Sequence, residues 1–389
     1  RPSTFDHRHS TIDIRPSTGQ VCRGFLTGMV SFNIYCNFTN YGSALQTWAL
    51  HQTVRKLGYF PVLVDYCPDI LSDKDPLHPF SNMWDQDNES RRMVELSMPA
   101  IRENYRKFDH FYHDCFRRTA KKYTSQNFND ITSDENIHTF ICGSDTIFCP
   151  DEFGFDDGYY ANYPCMRGRS VAYAASFGDP TFTDDTYPVL NALIRNFSAL
   201  GIREHQMIPY LREHTDVPVQ QVIDPTLLLS AEDYAPITSQ PVERDKYLLM
   251  YSRRYSPELE ECAENLASSN GWKIVDISLR AVNAERGHKM AYDAGVEEFL
   301  SLVKHAEYVV TNSFHGLIFS VQFRRPFSVF IREQSCSKIT ELISLFGLGQ
   351  HSGEADYSLV HRNIDRARTE SMKFLKMELE LLRDKVNVH

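Results

Sequence analysis

An α/β protein of two domains with parallel sheets is what the sequence predicts, on three observations. The chain is 389 residues long, more than one ordinary compact core holds, so two units of roughly 150 to 200 residues are expected. Short apolar runs of strand length alternate with stretches of helical periodicity, the pattern of βαβ units in parallel sheets. Those strand-like runs repeatedly deliver polar or charged residues at their carboxyl ends, where open α/β sheets build their sites.

Gly24 to Phe32 reads as the first strand. A polar loop, Asn33 to Thr39, leads to the turn Asn40-Tyr41-Gly42-Ser43; Ala44 to Leu57 then repeats Leu45, Trp48 and Ala49 at helical spacing, and Tyr59 to Tyr66 is the second strand. This opening lacks G-x-G-x-x-G, so no dinucleotide cofactor is predicted. Asp69 to Glu89 mixes proline and carboxylates with Phe80 and Trp84 and is expected as a surface loop or lid. Ser90 to Thr119 carries a long helical pattern, whose stripe of Tyr105, Phe108, Phe111, Tyr112 and Phe116 is expected in the core. Four short strands follow. Thr139 to Cys142 runs into Gly143-Ser144-Asp145, Arg169 to Ala175 into Ser176-Phe177-Gly178, Ser198 to Ile202 into Arg203-Glu204, and Val217 to Ile223 into Asp224-Pro225-Thr226.

Ser230 to Asp245, rich in proline, serine and acids, reads as an interdomain linker. Beyond it the alternation restarts with strands at Tyr247 to Tyr251 and Trp272 to Ile277 and helices at Pro257 to Ser269 and Val296 to Ala306. Tyr308 to Thr311 is a β-branched strand, Leu317 to Phe323 a mostly apolar helix, and Pro326 to Ile331 the next strand. The turn Asn312-Ser313-Phe314-His315-Gly316 therefore sits at a sheet crevice. A helix N-terminus there offers unpaired N–H groups to an anion, and Gly316 permits close approach of backbone to a ligand; the competing role for His315 is a helix cap. Asp365 to Val386 is an amphipathic helix. The expected organisation is a disordered extension at 1–20, an N-terminal domain at 21–235, a C-terminal domain at 246–350, and a helix at 360–389 packing across both.

Composition narrows the function. A net charge of −10 argues against nucleic acid as a partner, because such proteins show a basic face or stripe. Nine scattered cysteines without a C-x-x-C pair suggest neither a disulfide framework nor a metal site, and a reducing cytoplasm is the expected location. No apolar run reaches the roughly 18 residues of a membrane span, and residues 1–20 lack the apolar segment of a secretion signal.

Six strings taken together resemble the polysaccharide pyruvyltransferase family: Asn40-Tyr41-Gly42-Ser43-Ala44-Leu45-Gln46 with Ala49-Leu50, Gly143-Ser144-Asp145, Ala172 to Gly178, Arg203-Glu204, Asp224 to Leu229, and Thr311 to Gly316. The resemblance runs from about Gly28 to about Leu348 in the family's order. It implies a glycosyltransferase-B-like fold, two Rossmann-like domains facing a cleft, and transfer of a pyruvyl group from phosphoenolpyruvate, as co-substrate and with no cofactor, to a sugar hydroxyl pair, forming a pyruvate ketal in cell-surface polysaccharide biosynthesis. The acceptor would be a lipid- or nucleotide-linked sugar, the former bringing peripheral membrane contact. A nucleotide-sugar glycosyltransferase and a catalytically silent binding protein of the same fold are the alternatives.

The resemblance implies roles for individual residues. His315, Arg203 and Asp145 are the catalytic candidates. Arg203, Asn312, Ser313, Phe314, His315, Gly316 and Lys338 are expected at the donor, and Asn40, Tyr41, Gly42, Gln46 and Ser144 at the acceptor. Arg203 competes with an ion pair to Glu204 or Asp224, and Gln46 with a loop cap. Many family members carry Arg-Leu before His-Gly where this chain has Ser313-Phe314, and Lys338 is the candidate replacement for that cation, against a solvated surface lysine. Histidine, with an ordinary pKa near 6.5, can serve either proton step of ketal formation or hold the phosphate.

Overall fold

The computed structural model describes residues 25–78, 88–179, 182–331, 336–348, 352–353 and 356–387; the expected extension at 1–20 and the loop residues Phe80 and Trp84 lie outside them. Two open, twisted sheets organise the chain. The first contains β1 (Leu26–Val30), β2 (Phe60–Tyr66), β3 (Arg118–Tyr123), β4 (Phe140–Cys142), β5 (Ser170–Ala175), β6 (Ala199–Ile202) and β7 (Val219–Gln221) in the order 3-2-1-4-5-6-7. All its pairings are parallel. The second contains β8 (Tyr247–Tyr251), β9 (Lys273–Ile277), β10 (Lys289–Met290), β11 (Tyr308–Thr311), β12 (Phe327–Val329) and β13 (Ser352–Gly353) in the order 10-9-8-11-12-13. Only the β12–β13 pair is antiparallel. In each sheet the strand order reverses once, between β1 and β4 and between β8 and β11, and a Rossmann-like sheet opens its binding crevice at such a point. The fold is therefore the α/β arrangement of two Rossmann-like halves expected from the sequence.

The principal helices are α1 (Tyr41–Lys56), α2 (Asn88–Cys115), α3 (Thr186–Leu193), α4 (Met207–His214), α5 (Pro257–Asn270), α6 (Val296–His305), α7 (Phe314–Gln322), α8 (Cys336–Phe346) and α9 (Tyr357–Asn387). Helix α1 starts where Asn40 accepts hydrogen bonds from the Gly42 and Ser43 amides (2.9 and 3.3 Å), and α7 where Ser313 accepts from Gly316 N (3.3 Å). Both are side-chain caps on otherwise orphaned donors. The aromatic stripe of α2 lies in the core, with Phe108, Phe111, Tyr112 and Phe116 buried.

Parallel strands are covered on both faces, and the apolar residues sort accordingly. One cluster covers the outer face of the first sheet and a smaller one that of the second, while the largest joins residues of both halves. Tyr41 of α1 stacks on Phe299 of α6 with centroids 4.5 Å apart, and its hydroxyl donates to Ala294 O at 2.7 Å. Gln322 at the end of α7 donates to Thr226 O and Leu229 O (3.1 and 3.0 Å). The halves thus meet through a continuous apolar layer. Helix α9 packs against α8 and also against β5, where Ser371 Oγ accepts from Ile223 N (3.0 Å).

Candidate active site

Strand ends of the first sheet supply one side of the site. Beyond β4, Asp145 adopts a left-handed backbone (φ 72°), uncommon for a non-glycine residue though tolerated by Asp. Its carboxylate accepts from the Ser43 hydroxyl and from Thr146 N (2.9 Å). Burial would raise its pKa, but the Ser43 hydrogen bond and the charges of Lys338, Arg203 and His315 outweigh burial and hold it below the usual carboxylate value. At the end of β6, Glu204 is buried and accepts from the Ser176 hydroxyl and Phe177 N.

Arg203 lies between two carboxylates, Nη1 3.1 Å from Asp224 Oδ2 and Nε 3.6 Å from Glu204 Oε1. Both anticipated ion pairs are present. The guanidinium also sits over the Phe314 ring, 4.8 Å from its centroid, a stacking arrangement open to Arg and not to Lys.

Asp224 is the hub. Its Oδ1 accepts from Thr226 N and Thr226 Oγ1 (3.0 and 2.6 Å), its Oδ2 from Gln46 Nε2 and Arg203, and His315 Nε2 stands 3.7 Å from Oδ2. The last distance is an ion-pair separation, too long for a formed hydrogen bond. Burial pushes the Asp224 pKa up; His315, Arg203 and the Thr226 hydroxyl reverse that and hold it well below the usual range. Five polar groups therefore converge on one carboxylate that is only 2% exposed.

His315 enters from the other half, in the first turn of α7, and its ring lies against the first turn of α1. A Cβ built on Gly42 would fall 2.1 Å from His315 Nδ1. Gly42, in ordinary helical backbone, is thus needed for the space left by its missing side chain. Gly42, Asp145, Arg203 and His315 lie in one cluster, although they are far apart along the chain.

A cavity of about 740 Å³, the solvent-open space at its mouth included, lies beside this cluster, lined among others by Arg203, Glu204, Asp224, Phe314, Lys338 and Glu341. Lys338 belongs to α8, and among the described residues it carries no ion pair. Burial, with the Glu204 charge assisting, raises the Glu341 pKa against the pull of the His205 amide and Arg203.

Other anticipated contacts take different places. Asn312, expected at the donor, is fully buried and points at the β8 loop, accepting from Arg253 N (2.8 Å) and donating to Arg254 O (2.9 Å). The close approach seen at Gly316 is to Thr311, whose Oγ1 would lie 2.4 Å from an added Cβ. Ser313 caps α7. Tyr41 packs between the halves with its hydroxyl engaged, Asn40 caps α1, Gln46 binds Asp224 in place of a loop, and Ser144 is 3% exposed. Ser43 and Glu341 were not anticipated. Ser43 was legible only as part of a motif, and Glu341 lies on a helix that the sequence reading did not contain.

A family model described as polysaccharide pyruvyl transferase matches residues 40–333, well over half of the chain. No curated protein matches. Among solved structures, the UDP-GlcNAc 2-epimerase from Methanocaldococcus jannaschii is 11% identical with a TM-score of 0.48, covering 87% of this chain and 91% of its own. A UDP-N-acetylglucosamine 2-epimerase from Rickettsia bellii is 11% identical with a TM-score of 0.46, covering 94% and 98%. An E. coli ADP-heptose lps heptosyltransferase II is 10% identical with a TM-score of 0.36, covering 92% and 99%. At these identities and scores, the three carry no inference about activity.

Proposed function

This chain belongs to the polysaccharide pyruvyl transferase family, and we propose that it transfers the pyruvyl group of phosphoenolpyruvate to two hydroxyls of a sugar, forming a pyruvate ketal on a precursor of a cell-surface polysaccharide. The reading rests on one observation above others: Arg203 and Lys338, from separate parts of the chain, line one cavity with Asp224, itself 3.7 Å from His315 Nε2. Phosphoenolpyruvate carries a phosphate and a carboxylate, and a protein of net charge −10 must gather fixed cations to hold it. Lys338 supplies the charge that Ser313 lacks relative to much of the family.

In the proposed reaction the enol methylene gains a proton, the two sugar oxygens bond to the central carbon, and the carbon–oxygen bond to phosphate breaks. The hydroxyl protons balance the one taken up by the methylene and the one leaving with phosphate. His315 contacts the phosphate and protonates it as it leaves, a step of the kind worth roughly 10² to 10⁴ in rate. Asp145 is assigned as the base for the attacking hydroxyls, since it keeps partial exposure while Asp224 is buried under five partners. Asp224 positions Arg203 and His315. No further cofactor enters the scheme, and among the described residues no group of three or more His, Cys, Asp and Glu side chains is placed to hold a metal ion.

A cytoplasmic enzyme acting on a nucleotide-linked or lipid-linked sugar fits this reading, the latter with peripheral membrane contact; no described helix is long and apolar enough to cross a membrane. The test is incubation with phosphoenolpyruvate and a panel of such sugars, following phosphate release and product mass. Phosphate release coupled to one pyruvyl ketal per sugar is the expected result. Sugar transfer from a nucleotide sugar without phosphoenolpyruvate would replace this reading with the glycosyltransferase one.

A further inference from the structure

We infer that the protein has a second anion site, for a diphosphate group carried by the acceptor sugar, in a separate cavity outside the carboxyl ends of β8 and β9. This cavity, about 910 Å³ with the solvent-open space at its mouth included, is lined by Arg253, Arg254 and Arg280 with Tyr255, Tyr41 and Asn104 among its walls. Three guanidiniums in one pocket of a chain of net charge −10 is the opposite of what the composition would distribute at random. All three come from residues that immediately follow parallel strands, where a Rossmann-like sheet presents its ligand contacts. Guanidinium forks match the paired oxygens of phosphates in a way that a single charge does not.

The loop holding two of these arginines is built with care. Asn312, the fully buried residue at the end of β11, clamps it through Arg253 N and Arg254 O, so the segment that carries His315 also fixes the shape of the second cavity. Arg280 lies over the Tyr255 ring at 3.7 Å while Glu260 holds its Nε at 2.7 Å. Glu260 also binds Arg286, which Glu264 binds as well, so Arg280 is held in place by a carboxylate on one side and the Tyr255 ring on the other. Tyr255 is 57% exposed, an aromatic body left open beside the cations.

The second cavity and the reacting cluster are linked through α1. Tyr41 of α1 lines the second cavity, and the next residue, Gly42, touches His315 of the reacting cluster. Calling the ligand an acceptor rests on the proposed transferase reading; the presence of the anion site does not.

The experiment is calorimetric titration of the full chain with inorganic pyrophosphate, with UDP and with farnesyl diphosphate, each repeated with saturating phosphoenolpyruvate. Saturable pyrophosphate binding that survives phosphoenolpyruvate, and that Arg254→Ala and Arg280→Ala each weaken about ten-fold or more, is the expected result. Phosphoenolpyruvate affinity should be the same in both variants, and Asn312→Ala should weaken pyrophosphate binding with them. UDP tighter than pyrophosphate assigns a nucleotide-linked sugar, and farnesyl diphosphate tighter assigns a lipid-linked one. Displacement of pyrophosphate by phosphoenolpyruvate, unaltered affinity in both arginine variants, or no saturable heat would overturn the inference. Should phosphoenolpyruvate itself fail to bind while the arginine-dependent pyrophosphate site persists, the transferase reading falls and the second site stands.

Discussion

Replacing Gly42 by alanine tests the site through the smallest possible change. The added Cβ would lie 2.1 Å from His315 Nδ1 and 2.6 Å from Cε1, whereas ordinary contacts begin at 3.4 Å. The imidazole must therefore retreat by roughly 1 Å or more, and a misplacement of about 1 Å in a catalytic group can cost on the order of 10²-fold in rate. Folding pulls the other way. Gly42 lies in regular helix, where alanine is favoured by up to about 1 kcal/mol, so the helix itself does not suffer. The expected outcome for Gly42→Ala is turnover of phosphoenolpyruvate lowered by about 10²-fold with only a modest change in melting temperature. Combining it with His315→Ala should relieve the clash without restoring activity, which marks the histidine as the affected group. Wild-type turnover in Gly42→Ala would refute the reasoning, because a histidine tolerating that displacement is not held for proton transfer.

Further outcomes follow from the same geometry. His315→Asn keeps a residue suited to the helix start and should leave thermal stability nearly intact while lowering turnover by about 10² or more across acceptors, as steady-state rates will report. Arg203→Ala strips a buried cation from Asp224 and Glu204, so it should cost about 3–5 kcal/mol in denaturant unfolding and also weaken phosphoenolpyruvate binding; an unchanged unfolding midpoint would contradict the ion-pair network. Asp156 tests pH: burial, opposed by hydrogen bonds from Tyr159 N, Tyr66 and Gly158 N, pushes its pKa up to about 6. The folded chain then holds a proton that the unfolded chain, with a pKa of about 3.9, releases, so its contribution to stability falls as pH rises from about 4 to 6. Asp156→Asn should remove a slope worth on the order of 2 kcal/mol over that window, visible as flattened urea midpoints.

The sequence showed strands best where both faces are covered. Val62 to Val64, Phe140 to Cys142 and Tyr247 to Tyr251 are buried without a break, and such runs stand out as apolar. Strand β3 escaped because it is an edge strand: Ala120, Lys121 and Lys122 are exposed, and only Thr119 and Tyr123 are buried, so its lysines read as helix surface or loop. The two-residue strands β10 and β13 carry no periodicity at all. Of the site, the residues at strand ends could be picked out by position, and the resemblance joined them. What Asn312 does could not be read, since a buried amide and a ligand-facing amide have the same place in the motif. The fit of Gly42 against His315 was equally invisible, because it is a contact between chain segments more than 270 positions apart.

Helix α9 has a consequence for the order of events in synthesis. Its Phe374 ring would touch a Cβ added to Gly201 of β6 at 2.7 Å, and Ser371 bonds the Ile223 amide, so the last long element of the chain covers strands made near its middle. As the polypeptide emerges, the first sheet can form early, but the face beside β5 and β6 stays wet until residues 357–387 leave the ribosome. The first sheet is therefore completed only after the second has been made. Lengthening the wait before that helix appears prolongs the exposure of an apolar sheet face, and aggregation during slow translation should begin there.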